Sequence, residues 1–232
     1  MVKKYIFCFI ILIIMLFSFA GCSGIDGEMK SVSVEKKSSS EIEYLENEIF
    51  TIINKFSKNE YEKDNGIDWK DVNKDAQKIG KVLDTVMLDF GEAKVSNDEL
   101  NNLRNEINNL LIYTTNEDVN NLFKSASNLY SVLPEYYSRF SEDNNKKLVM
   151  DLKSLILKSY TSAYFLDWGT AKSNALLAEN KYKEMSDNLE YMKENSYNLN
   201  KVYILVEEFK NAVDLEELEL AKIKYINFIE KI

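Results

Sequence analysis

The chain of 232 residues contains no histidine, one proline, seven glycines and two cysteines. Without imidazole there is no Ser–His–Asp or Cys–His catalysis. The usual zinc sites and the Glu-x-x-His bundles of di-iron proteins are excluded on the same ground. Sparse glycine fits the lack of any phosphate-binding loop, dinucleotide fingerprint or nucleophile elbow. Cation is also in deficit: 29 Lys and Arg stand against 38 Asp and Glu, a formal charge of −9. An acidic surface argues against nucleic acid, which is held by neutralising phosphates with Lys and Arg. It argues equally against lying flat on anionic headgroups. No catalytic residue set and no cofactor motif is recognisable, so the expectation is a protein that is not an enzyme and carries no cofactor or metal.

Long apolar runs are scarce too, and the one that exists is at the start. Lys3-Lys4 precede an apolar run from Tyr5 to Phe19, followed by Ala20-Gly21-Cys22-Ser23. That run is shorter than the roughly 20 residues a spanning helix needs and has the proportions of a secretory core. Small residues before a cysteine suit a peptidase that accepts an extended, uncrowded backbone, and a thiolate is the soft nucleophile that takes up a diacylglyceryl group. The segment resembles the signal of bacterial prolipoproteins, with Phe19 where that family has Leu or another aliphatic. The resemblance implies removal of residues 1–21 as a signal peptide, lipid attachment at Cys22, and residence on the extracytoplasmic face of the cell membrane. A palmitate-bearing terminus with two or more chains holds stably, where one chain gives only marginal binding. The competing reading is an uncleaved membrane anchor with Cys22 incidental.

Loss of residues 1–21 takes away Cys8, Lys3 and Lys4, so the charge of −9 becomes −11 and Cys22 is the only thiol left. Disulfides are thereby excluded. Residues 22–40 are polar and rich in Ser and Lys, without helical periodicity. They read as the lipidated Cys followed by a flexible tether with a reach of about 20–25 Å.

From Ser40 onward the pattern is helical almost without break, and no strand is convincing. Apolar residues recur three and four apart, which keeps each set on one helix stripe. The sets begin Ile42-Leu45-Ile49, Trp69-Val72-Ala76, Leu100-Leu103-Ile107, Val119-Leu122-Ala126, Leu148-Leu152, Trp168-Ala171-Ala175, Leu199-Val202-Val206 and Leu218-Ala221-Tyr225. Capping pairs are expected at Ser40/Glu43, Ser96/Glu99 and Asp214/Glu217, and Thr115 and Asp118 precede the Val119 stripe. Pro134 is expected to end or kink the fourth helix, because it has no N–H to donate and crowds the preceding turn. The fold class that follows is all-α, an antiparallel bundle of about eight helices.

The chain also repeats itself. Ile67-Asp68-Trp69 and Leu166-Asp167-Trp168 are 99 positions apart, and the same shift maps Leu100 to Leu199, Ile107 to Val206, Leu110 to Phe209 and Leu129 to Phe228. Two tandem four-helix repeats are therefore expected, in segments 41–133 and 134–232, as one fused bundle or two.

Several residues are candidate sites. Trp69 and Trp168 either line a groove for a peptide or glycan or open a core stripe behind a capping Asp. Glu43/Glu46 and Glu216/Glu217/Glu219 either offer carboxylates to a cation or to acid–base chemistry, or form solvated faces. The doublets Asn101-Asn102 and Asn108-Asn109 mark a polar outer face or a contact surface. Tyr136-Tyr137 form either an exposed recognition patch or packing between the repeats. The body is similar to the small helical lipoproteins of low-GC Gram-positive bacteria. The functional expectation is a membrane-tethered binding module for a protein, peptide or cell-wall component. The alternative is a carrier of a small ligand or cation serving a transporter.

Overall fold

The computed structural model describes residues 25–59, 66–92 and 95–232. The signal segment and Cys22 lie outside the described residues. Among those residues every regular element is an α-helix: α1 (Ile25–Asn59), α2 (Trp69–Glu92), α3 (Asn97–Thr115), α4 (Val119–Phe140), α5 (Asn144–Tyr164), α6 (Trp168–Asp187), α7 (Leu189–Asp214) and α8 (Leu218–Lys231). The all-α bundle expected from periodicity is what forms. None of these helices is long and apolar enough to cross a membrane.

Short turns make sequence neighbours antiparallel. α1 packs on α2, α2 on α3, α3 on α4 and α4 back on α1, closing a four-helix ring. α5 to α8 repeat that pattern, with α5 closing on α8. The rings meet where α4 packs on α5 and α1 on α8. Ile49, Ile53, Leu110, Leu129, Tyr160, Phe209 and Phe228 lie in one continuous apolar core fed by all eight helices.

At the α3–α4 and α7–α8 turns, and at the starts of α2 and α6, residues 99 apart share local geometry. Glu117 and Glu216 both adopt left-handed backbone, with φ of 56° and 57°. The N–H of Asp118 reaches the carbonyl of Tyr113 at 2.9 Å, and its counterpart Glu217 reaches Ala212 at 3.4 Å. At the helix starts, Asp68 accepts the N–H of Asp71 at 3.1 Å and Asp167 accepts that of Thr170 at 3.1 Å. The α3–α4, α5–α6 and α7–α8 turns share one end of the bundle, the turn end. Asn73 in the first turns of α2 donates to Thr114 at the end of α3 (3.0 Å), and Lys172 of α6 pairs with Glu216 of the α7–α8 turn (2.6 Å).

Three expectations need correction. Residues 25–40 are helical and continue into α1, where a flexible tether was expected. Residues 28–40 carry no Gly or Pro, and a helix nucleated by the packed stretch from Ile42 to Phe56 propagates one hydrogen bond per added residue. A search for apolar stripes misses such an extension because propagation needs no stripe within the added turns. Ser40 therefore lies inside α1 and is not its N-cap.

Pro134 does not end α4, which runs through it to Phe140. Its missing N–H leaves the Tyr130 carbonyl without a helical donor. Burial of Leu133, Pro134, Tyr136, Tyr137 and Phe140 in the core offsets that loss. The division expected between 133 and 134 thus falls inside a helix. Finally, Glu217 is the N-cap of α8 with no side-chain cap bond, and Asp214 pairs with Lys210 instead.

The Ser96/Glu99 box forms as expected and is extended by Arg139. The Glu99 carboxylate accepts the Ser96 N–H (2.9 Å), the Ser96 hydroxyl (2.8 Å) and the Arg139 guanidinium (2.8 Å). The Ser96 backbone N–H, then Arg139 and the Ser96 hydroxyl, hold this carboxyl down from 4.5 to about 2. A carboxyl depressed in the folded state adds stability above its unfolded pKa and loses it as pH falls through the folded value. The melting temperature of the protein is expected to drop between pH 4.5 and 2, and Glu99→Gln is expected to flatten that limb. Calorimetry across this range checks it, and parallel limbs for both proteins contradict it.

Candidate functional site

Glu46 sits within the apolar stripe of α1, one turn after Ile42 and one before Phe50, and is 2% exposed. Burying a lone carboxylate costs several kcal/mol in real proteins, so partners have to converge on it. One oxygen accepts the Tyr130 hydroxyl of α4 at 3.0 Å and faces the Lys153 ammonium of α5 at 3.3 Å. The other faces the Lys146 ammonium of α5 at 3.3 Å. Phe50 completes the cluster, its ring 4.6 Å from that of Tyr130 and 5.7 Å from the Lys153 ammonium. Burial first, and then the charge of Glu46, push the Tyr130 phenol well above its ordinary pKa. Each carboxylate oxygen is directed at a donor or cation of the protein. The arrangement therefore suits fixing α1 against α4 and α5 across the junction of the two rings.

A second ionic cluster ties α1 to α2. Asp75 is buried and receives Lys55 from α1 and Lys78 from its own helix, while Lys55 also holds Asp71. Burial works to raise the Asp75 carboxyl, but hydrogen bonds from Lys55 and Lys78 outweigh it and leave it below its ordinary value. Toward the turn end lies an aromatic seam. Tyr160 of α5 stacks on Tyr225 of α8 with centroids 4.3 Å apart, and Phe123 of α4 meets Tyr160 edge-on at 5.6 Å. The Tyr225 hydroxyl is buried with no hydrogen-bond partner among the described residues.

The candidates read from the sequence fall as follows. Trp69 and Trp168 are half-buried against the core, Trp69 lying 5.5 Å from Phe56, and Asp68 and Asp167 cap their helices. Glu43 and Glu46 do not form a pair open to solvent: Glu46 is buried among lysines, and Glu43 lies beside Tyr137. The reading of Glu46 as part of a solvated face is thus corrected, because α4 and α5 cover that side of α1. Glu216, Glu217 and Glu219 are exposed at the turn end, far from Glu43 and Glu46. Asn101, Asn102 and Asn108 are exposed on α3. Tyr136 and Tyr137 are buried, with Arg139 over the Tyr136 ring at 5.7 Å, so they pack and form no surface patch.

Sequence reasoning missed Lys146, Lys153 and Asp75. For Glu46 a signal existed, since an acidic residue at i+4 from Ile42 and i−4 from Phe50 interrupts a stripe. Among the described residues no group of three or more Cys, Asp or Glu is arranged to hold a metal ion.

Comparison with known proteins gives no match: no family model, no curated protein and no solved structure is significantly similar to the chain.

Proposed function

We propose that the chain is a lipid-anchored extracytoplasmic binding module, a helical body held at the cell membrane through Cys22 that engages a protein, peptide or cell-wall component without turning it over. The observation that carries this reading is the sequence Lys3-Lys4, Tyr5–Phe19, Ala20-Gly21-Cys22. The helical body supports it in a mechanical sense. α1 begins at Ile25, three residues after Cys22, and Ile42 within it is buried in the core. Seventeen residues of helix span about 25 Å at 1.5 Å per residue. In this reading they act as a stiff spacer between membrane and bundle, where a coil of the same length would let the body wander.

Intact mass spectrometry of the protein from membranes tests the anchor. The expected product begins at Cys22 and carries diacylglyceryl mass, and Cys22→Ser is expected to accumulate as an unlipidated precursor. A wild-type protein with Met1 intact and Cys22 unmodified overturns the reading.

A further inference from the structure

The turn end of the second ring carries two leucines that the fold does not use. Leu166, in the α5–α6 turn, is 66% exposed, and Leu215, in the α7–α8 turn, is 65% exposed. Leu166 also has left-handed backbone, with φ of 61°. That conformation is unfavourable for a residue with a Cβ and is ordinarily filled by Gly or Asn. Solvation and backbone preference therefore both speak against leucine at position 166.

The repeat supplies an internal control. The α3–α4 turn of the first ring has the same left-handed residue and the same backbone bonds as the α7–α8 turn. Its residue at the place of Leu215 is Asn116, which is exposed. At the place of Leu166 the first ring has Ile67, which packs against the core. The shared turn geometry thus forms without an exposed leucine. Charge differs in the same direction: Asn120 of the first ring is replaced by Glu219 of the second, next to Glu216 and Glu217. Glu216 is paired with Lys172, whereas exposed Glu217 and Glu219 make no ion pair among the described residues.

We propose that Leu166 and Leu215, which share the turn end of the second ring with exposed Glu217 and Glu219, form the docking surface for a cationic segment that presents apolar side chains. This names the surface and the partner class of the binding module proposed above, and rests on that reading. Lys172 pairs with Glu216 and Lys124 lies over the Phe165 ring, which leaves Glu217 and Glu219 as the unpaired charges near Leu215 among the described residues. Exposed apolar anchors with unpaired carboxylates are what an interface with a cationic amphipathic partner needs. A second copy is disfavoured as the occupant because each chain carries −9, and like charges brought together at an interface repel. An anionic lipid surface is disfavoured by the same carboxylates.

The test uses the full chain in phosphatidylcholine nanodiscs, with empty discs subtracted. The probe is a fluorescent 18-residue amphipathic Leu/Lys peptide, and its Ser-for-Leu analogue of equal charge is the control. Burying one leucine accounts for about tenfold in affinity, so Leu166→Asn and Leu215→Asn are each expected to weaken binding about tenfold. The variant Leu176→Asn/Leu177→Asn, which removes two exposed leucines from the flank of α6, is expected to bind as wild type. Glu217→Gln/Glu219→Gln is expected to weaken binding and reduce its salt dependence. Asn tolerates the left-handed backbone at position 166 and stands as Asn116 at the place of Leu215 in the first ring, so both tip variants are expected to melt at the wild-type temperature.

Wild-type affinity in the Leu166→Asn/Leu215→Asn double variant overturns the proposal. So does an equal loss on the α6 flank, equal affinity of the Ser analogue, or no binding at all. Self-association abolished by Leu215→Asn overturns it in favour of a second copy. Peptide binding away from the tip overturns the tip while leaving a binding module standing, and the Cys22 mass measurement reads the anchor independently of every peptide result.

Discussion

Glu46→Ala is expected to destabilise the protein by about 3 kcal/mol, since removing one partner of a buried ion pair leaves the others uncompensated. For a chain of this length that corresponds to a fall in melting temperature of about 6–12 °C. The figure sits at the low end of the range for buried pairs because the lysines have an escape. The Lys146 side chain is 30% exposed and that of Lys153 13%, so both ammonium groups can turn toward water once the carboxylate is gone. Tyr130 cannot, being fully buried, and its hydroxyl would lose the acceptor that Glu46 provides.

Glu46→Gln keeps an acceptor for Tyr130 and loses only the charge, so a smaller loss of about 1–2 kcal/mol is expected. Tyr130→Phe removes one hydrogen bond, at about 1 kcal/mol. Because these two residues share a bond, the double variant Glu46→Ala/Tyr130→Phe is expected to fall short of the sum by about 1 kcal/mol. Urea unfolding of the four proteins measures this cycle. Strict additivity would separate the two residues energetically and remove the case for a joint brace at the ring junction.

Phe209→Ala is expected to have the larger effect, a loss of about 4 kcal/mol, from transfer of the ring to water and the cavity it leaves. Phe209 is fully buried on α7 at the position that Leu110 holds on α3, and both belong to the one continuous core. Leu110→Ala is expected to lose about 3 kcal/mol. The shared core adds a second expectation, that both variants lower a single transition and that Phe209→Ala speeds amide exchange in α3 as well as in α7. Two calorimetric transitions, with Phe209→Ala moving only one, would show that the rings unfold as separate units.

Where the sequence was legible, the governing interactions were local. The phase of each stripe follows from 3.6 residues per turn, so Ile79, Leu103, Val206 and Phe228 were assigned to the core and are buried there. The Ser96/Glu99 box and the caps at Asp68 and Asp167 depend on residues three positions apart. Of the end or kink expected at Pro134, the end does not occur, because the rule for proline is local, while the burial that carries α4 past it comes from neighbouring helices. Residues 25–40 were misread because polar composition says what a segment does not bury, and helix growth from a packed neighbour requires no burial.

The candidate sites divide along the same line. By itself the sequence determined the all-helical class, since helical periodicity is written in residue order at short range. Only the tertiary structure decided that Glu46 is a buried brace. Its partners Tyr130 and Lys153 are 84 and 107 residues away, and no periodicity links residues so distant in the chain. The same holds for Leu166 and Leu215. In sequence they are two more apolar residues of a helical protein, and they stand out only because the fold buries the apolar stripes and leaves both leucines in water.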